Sequence, residues 1–371
     1  MKAAIVCSWL NQYGGAERVL EVLHDLYPSA PVYTSIFEPR AMPVAYQWWD
    51  IRTSFMQRLP FVREHHQPFL PLYPLAFERF DLSGYDVVIS NTSAFAHGII
   101  TPPPTCHICY CLTPARFLWS YAEYAGREGL GSGVRAALSP LITALRIWDA
   151  VAAQRVDRFV AISRAVAARI KKCYRRESAI IYPPVETAAY CAGDGHEDYF
   201  LVVSRLVPYK RIELAVQACS ELGLPLKVVG EGRYRPALEA LAGPSVQFLG
   251  RVDDALVKQL YSRCKALIFP GEADFGLTPL EAQASGRPVI AFAGGGALET
   301  VVEGETGVFF GEPTVESLTG ALLDFRADEY DPQRIRRHAG RFDIAVFQRQ
   351  FADLVTESYA EHIGRPLVLR G

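Results

Sequence analysis

Apolar residues in this chain fall into short, nearly uninterrupted runs. Longer stretches separate them, in which apolar positions recur every three or four residues. The runs Lys2–Ser8, Val32–Ser35, Asp86–Ser90, His107–Cys111, Arg158–Ile162 and Ala179–Tyr182 read as strands. After the first comes Gly14-Gly15-Ala16-Glu17-Arg18, then Val19, Val22, Leu23 and Leu26 at helical spacing. Strand, glycine loop and helix in that order open a doubly wound α/β unit with a parallel sheet covered on both faces. Pro183-Pro184 and the polar stretch Cys191–Asp198 break the pattern and read as a linker. A second series follows, with strands expected at Tyr199–Ser204, Leu226–Val229, Val246–Leu249, Ala266–Phe269, Val289–Ala291 and Val308–Phe310. Ala345–His362 reads as a last helix with Phe347, Phe351, Leu354 and Val355 on one face. The domains expected are 1–185, completed by the C-terminal helix 345–371, and 186–344. Between Arg52 and Phe80 the pattern is irregular, with Pro60, Pro68, Pro71 and Pro74 among many aromatics. That stretch reads as a long loop with short helices: an acceptor-binding surface, a membrane-facing surface, or packed loop.

The length of 371 residues, half of them hydrophobic, suits two cores. A net charge of −2 gives no general pull toward nucleic acid. No run of 18 or more apolar residues interrupts the chain, so no spanning helix is expected. The N-terminus reads as a first strand rather than a signal peptide. The eight cysteines are scattered, as reduced buried thiols are in a cytoplasmic protein. Cys109 and Cys111 share a strand face and Cys106 points away, without a second ligand pair at zinc spacing, so no metal site is expected.

Candidate chemistry gathers where loops follow strands. In Phe269–Val289 a strand, a glycine-containing loop and Thr278-Pro279-Leu280-Glu281 succeed one another. Thr278 reads as an N-cap and Glu281 as the third helical residue. Backbone N–H groups ahead of a helix suit an anion, and a carboxylate at its mouth suits sugar hydroxyls. The same residues also read as a plain capping box. Arg205 and Lys210 flank a Pro-containing turn and can converge on one anion, or stand as solvated charges. Gly230-Glu231, Arg251 with Val252, and Gly294–Gly296 with Glu299 follow other strand ends. In the first half, His97 in SAFAHG and Arg116 in CLTPARFLW lie beyond strand ends, where open parallel sheets bind ligands. The basic run Arg169–Arg176 reads as a solvated helix end, or as a patch resting on an anionic membrane.

SRLVPYKR, VVGEGR, FLGRV, DFGLTPLEAQASGRPVIA and GGALETVVEGETGVFF, preceded by GGAERV, SAFAHG, CYCLTPARFLW and IIYPPVE, resemble family-4 glycosyltransferases of the GT-B fold across nearly the whole chain. By pattern the chain is most similar to bacterial mannosyltransferases of surface-polysaccharide assembly, lipopolysaccharide among them. The resemblance implies two Rossmann-like domains facing each other across a cleft. It implies a retaining transferase without metal or cofactor, and the sequence holds no D-x-D triplet. The donor is a nucleotide sugar, GDP-mannose first and a UDP-hexose second. The acceptor is a saccharide, free or lipid-linked; the setting is the cytoplasm, at or near the inner membrane face. By similarity Arg205 and Lys210 hold the donor diphosphate, and Glu281 takes the ribose hydroxyls. Phe275, Gly276 and Leu277 approach sugar and phosphates through their backbone, flanked by Asp274 and Thr278. Gly230, Glu231, Arg251 and Val252 line the donor. Gly15 adds a backbone contact and His97 meets the donor sugar. Arg116, Tyr110 and Trp119 are the acceptor candidates.

Two positions depart from the family pattern. The family carries a second Glu eight positions before Glu281, where this chain has Ala273. Either a donor-sugar contact is naturally missing, or a deliberate Glu-to-Ala change has weakened turnover; the second is the favoured reading. A nucleotide-sugar-binding protein that has lost catalysis is the competing class. Leu112 stands where relatives often have His, which bears on acceptor recognition.

Overall fold

The computed structural model describes residues 1–127, 129, 131–193 and 195–364; Asp194 of the linker and residues 365–371 of the C-terminal span lie outside them. The chain divides into two compact units, Met1–Tyr182 with Phe347–Gly371, and Pro183–Val346. The proline pair therefore begins the second unit, and the last helix joins the first.

The first unit is built on β1 (Ala3–Cys7), β2 (Val32–Thr34), β3 (Ile51–Thr53), β4 (Val87–Thr92), β5 (Cys106–Cys111), β6 (Arg158–Ala161) and β7 (Ser178–Ile180). They form one parallel sheet in the order β3-β2-β1-β4-β5-β6-β7. Every residue of β1, β4 and β5 is buried, because helices cover both faces, and this is why these strands lack polar alternation. β3 was not expected. Three residues at a sheet edge, only partly buried, carry too short a pattern to read.

The second unit carries β8 (Phe200–Val203), β9 (Leu226–Val229), β10 (Val246–Gly250), β11 (Ala266–Phe269), β12 (Val289–Phe292) and β13 (Gly307–Phe310). Their order is β10-β9-β8-β11-β12-β13, all parallel. In both sheets the chain winds outward one way, returns to the middle and winds the other way. The switch falls between β1 and β4 in the first sheet and between β8 and β11 in the second. Loops at the carboxyl ends of those strand pairs diverge and leave a crevice, which is where such sheets take ligands.

The last helix, Ile344–His362, buries Phe347, Phe351, Leu354 and Val355, the face its spacing predicts. Phe347 and Phe351 meet the Tyr110 ring edge-on at 5.6 and 5.8 Å. Tyr110 is fully buried and its hydroxyl donates to the Ile181 carbonyl at 3.0 Å. This corrects the acceptor assignment for Tyr110: closed inside the unit, it pins the last helix to the sheet. Tyr359 and His362 extend the docking to Asp86 and the Pro103 carbonyl. Cys106, Cys109 and Cys111 are all buried. Cys106 lies near Asp157 and His362, and burial together with the Asp157 charge pushes its thiol up to about 12.

The helix Ser132–Ala152, continued by a turn to Arg155, is long and apolar enough, by length and composition, to cross a membrane. It holds no uninterrupted apolar run of spanning length, because Arg135, Arg146 and Asp149 punctuate it. Ile142, Leu145, Asp149 and Ala152 face the interior of the first unit.

Candidate functional site

The second unit's switch point gathers the candidate cations. After β8 the chain forms a short turn, Pro208–Lys210. Arg205 reaches back so that Nη2 donates to the Tyr209 hydroxyl at 2.9 Å. The Lys210 ammonium lies 5.6 Å from the centre of the Tyr209 ring and 5.9 Å from that of Phe269, the last residue of β11. The structure thus brings Arg205 and Lys210 together around Tyr209, at the mouth between β8 and β11. The opposite loop presses against this turn. A Cβ on Gly271 would lie 2.6 Å from the Lys210 carbonyl oxygen, so only glycine lets the two backbones approach this closely.

The neighbouring strand ends are stitched to the same edge by backbone hydrogen bonds. Leu206 N–H donates to the Glu231 carbonyl at 2.9 Å, and Gly230 N–H to the Gly250 carbonyl at 2.8 Å. Gly230 and Glu231 follow β9, one strand from β8. Arg251, exposed, and Val252, half-buried, follow β10, two strands away, or about 10 Å at ordinary strand spacing. On the other side Gly296 N–H donates to the Ala273 carbonyl at 2.8 Å, laying the loop after β12 on the loop after β11. Ala273 is buried, Glu272 exposed and Asp274 half-buried.

The helix beyond this loop, Leu277–Ala284, begins earlier than its sequence suggests. Gly276 is the N-cap, with φ +99°, and no side chain caps the helix. Thr278 is consequently inside the first turn, and Glu281 lies beyond the third helical position. The N-cap role expected of Thr278 and the capping box are both corrected. The physical reason is Gly276: a residue free to take positive φ turns the chain sharply before a Thr could. Pro279 still falls in the first turn, where its missing N–H costs nothing. Phe275 turns its ring inward, 5.9 Å from Phe342, leaving its backbone in the loop.

Glu281 is buried, and Oε2 accepts from the Tyr261 hydroxyl at 2.7 Å. Tyr261 ends up there because the helix Asp254–Arg263 packs beside Leu277–Ala284. A buried carboxylate needs such a donor, and its direction is then set before any ligand arrives.

The first unit's switch point carries the other candidates. Gly14, extended at φ −167°, is the N-cap of the helix Gly15–Leu26, which follows β1. After β4, Phe95 adopts φ +64°, unusual for a bulky residue. Its ring is stacked with Tyr73 at 4.7 Å and tilted against Phe117 and Trp148 at 5.7 and 5.9 Å. That packing over-determines the strained backbone, and the turn Ala96–Gly98 follows. His97 is turned inward. Only 2 % of it is exposed, with Nε2 3.3 Å from Asp149 Oδ1. Asp149 is fully buried and gathers three elements: its Oδ2 accepts from Trp119 Nε1 at 2.7 Å and from the Tyr174 hydroxyl at 2.8 Å. Burial and the Asp149 charge push the Tyr174 hydroxyl well up. His97 and Trp119 therefore meet at one carboxylate, while Arg116 begins the short helix Arg116–Trp119 that carries Trp119.

Three residues escaped sequence reasoning. Tyr209 lies inside the SRLVPYKR motif and was readable there. Asp149 is a lone acid among Ile147, Trp148 and Val151, and a carboxylate in an apolar stretch is itself a signal. Tyr261 is 20 positions from Glu281 with nothing local to mark it.

Residues 13–189 match the family model described as Glycosyltransferase Family 4, and residues 192–342 that described as Glycosyl transferases group 1. The O-antigen chain mannosyltransferase of Salmonella typhimurium is 30 % identical over 149 residues, 37 % of this chain and 42 % of that protein. The GDP-mannose-dependent α-(1-6)-phosphatidylinositol monomannoside mannosyltransferase of Mycolicibacterium smegmatis is 29 % identical over 154 residues, 37 % of this chain and 40 % of that one. Glycogen synthases are also among the relatives. The chain spans no more than about half the length of the curated relatives it matches. Among solved structures, Anabaena HepE in complex with UDP and glucose superposes with a TM-score of 0.73 at 18 % identity, covering 96 % of this chain and 99 % of that one. The fold is GT-B, made here of two parallel-sheet α/β units. The chain carries a glycosyltransferase family 4 domain over residues 13–189 and a glycosyl transferases group 1 domain over residues 192–342.

Proposed function

We propose that this chain transfers a hexose from a nucleotide sugar to a saccharide acceptor, with retention of configuration and without a metal. Mannose from GDP-mannose is the first choice, with a glycan or lipid-linked saccharide of surface-polysaccharide synthesis as acceptor. The observation that carries the reading is the pairing of Arg205 and Lys210 about Tyr209, at the second unit's switch point and beside the loop that opens the helix at Leu277. Two cations at a sheet's carboxyl edge suit a diphosphate. Glu281, oriented by Tyr261, is assigned the ribose hydroxyls. As the glycosidic bond breaks, charge grows on the departing diphosphate, and fixed cations and aligned N–H groups stabilise it. The acceptor proton passes to a departing phosphate oxygen on the same face. The mannosyltransferase relatives support the donor; HepE with UDP bound supports a UDP-hexose as the alternative. Setting and membrane association belong to the same proposal: the cytoplasm, peripheral to the membrane's inner face.

Thermal-shift titration against GDP-, UDP- and ADP-sugars tests the donor. A ligand at about 100 times its Kd stabilises by about 2.7 kcal/mol. No stabilisation by any of the three sinks the reading. Ala273 favours a second reading, a nucleotide-sugar-binding protein without turnover. Ala273→Glu is expected to raise the transfer rate; binding without turnover in both forms selects the second reading.

A further inference from the structure

Phe61 combines two features that are each costly. It is 74 % exposed, with its backbone at φ +59°. Both features work against stability: an aromatic ring left in water forgoes burial, and left-handed backbone disfavours a residue with a Cβ. The neighbours show how the position is held. Val62 and Met56 are fully buried in the first unit's core. The Phe61 carbonyl accepts from His65 N–H at 2.9 Å, starting a tight turn. The chain is thus anchored on both sides while the ring points out.

The turn lies at the carboxyl edge of the first sheet. Asn11, in the loop between β1 and the helix Gly15–Leu26, donates through Nδ2 to the Arg63 carbonyl at 2.9 Å. Trp9, in the same loop, meets His66 at a tilt of 40°, with ring centres 4.8 Å apart. The turn that carries Phe61 is therefore tied to the loop that follows β1, on the side of the switch point between β1 and β4. A flat apolar ring exposed at the carboxyl edge of a parallel sheet, where such sheets take ligands, matches the apolar C–H face of a pyranose. Sugars offer one such face and bury it on aromatic rings, while their hydroxyls stay hydrated or find polar partners.

We propose that Phe61 is an acceptor-binding residue, a platform on which a pyranose of the saccharide acceptor stacks. The inference rests on the transferase reading for its role, but its binding content is tested separately. Phe61→Gly is the informative variant, because glycine accepts φ +59° without strain and removes the exposed ring. It should leave Tm unchanged or raised. Saturation-transfer NMR on the full chain, with methyl pyranosides of mannose, glucose, galactose and N-acetylglucosamine, reads the contact directly. The expected result is saturation of one ring face of at least one pyranoside in the wild type and in Phe61→Trp. In Phe61→Gly its affinity falls about tenfold, with nucleotide-sugar binding unchanged. Equal saturation in wild type and Phe61→Gly for every pyranoside overturns the proposal. So does a loss seen only in sedimentation with phosphatidylglycerol vesicles, which would make Phe61 a bilayer contact. If pyranoside contact depends on Phe61 while no nucleotide sugar binds, the platform stands and the transferase reading falls.

Discussion

Gly271→Ala offers a one-methyl test of the proposed diphosphate grip. The new Cβ would stand 2.6 Å from the Lys210 carbonyl oxygen, 2.8 Å from its carbonyl carbon and 3.0 Å from its Cα. Comfortable contacts between such atoms begin near 3.5 Å. All three neighbours are backbone, which no rotamer change can move aside, so the Lys210 turn must retreat by about 1 Å. A unit charge pair stretched from about 4 to about 5 Å loses about 0.8 kcal/mol at an effective dielectric near 20, or about fourfold in affinity. Forcing the loops apart adds about 1–3 kcal/mol of overpacking, and for a domain of this size each kcal/mol lowers Tm by about 2–4 °C. Isothermal titration with GDP-mannose and UDP-glucose, alongside calorimetric unfolding, reads both quantities. In a Lys210→Ala background the Tm penalty should persist while the affinity penalty disappears, because residues in one unit of structure do not act additively. Unchanged affinity in Gly271→Ala despite a lowered Tm, or a full affinity loss on top of Lys210→Ala, would refute the assignment of Lys210 to the phosphates.

Three further outcomes follow from buried polar groups. Tyr261→Phe leaves the buried Glu281 carboxylate without its hydroxyl donor; urea unfolding should show a loss of about 1–3 kcal/mol, with weaker binding of ribose-containing donors than of pyrophosphate alone. Asp149→Ala abandons Trp119, Tyr174 and His97 together, so denaturation should report a loss of about 3–5 kcal/mol, and Asp149→Asn, which keeps an acceptor, should cost less. His107 is fully buried, with Nε2 2.9 Å from the Ser90 hydroxyl, and burial lowers its pKa to about 3. Between about pH 6.5 and 3 the unfolded chain binds a proton at this site that the native one refuses, so stability should fall as pH drops through that window, by up to about 1.4 kcal/mol per unit. His107→Gln should flatten that part of the curve; an unchanged slope in urea unfolding at several pH values would contradict a neutral buried imidazole.

The chain's hydrophobic pattern was enough to read twelve of the thirteen strands, the parallel sheets and the last helix's inner face. Strands buried on both faces must be apolar throughout, and that signal is local. Glycine-bearing loops after strand ends were legible for the same reason, since backbone geometry there depends on the residue itself. Tertiary structure alone decided which distant side chains meet. Whether Thr278 or Gly276 starts the helix turned on a backbone angle, and the partner of Glu281 turned on where the helix Asp254–Arg263 packs. Tyr110 and Asp149 make the point most clearly. One looked like a ligand contact and is a core ring holding the last helix; the other looked like nothing and gathers three elements. Strand-forming tendency is set by a few neighbouring residues, whereas a buried hydroxyl or carboxylate takes its role from partners far along the chain, brought to it only by packing.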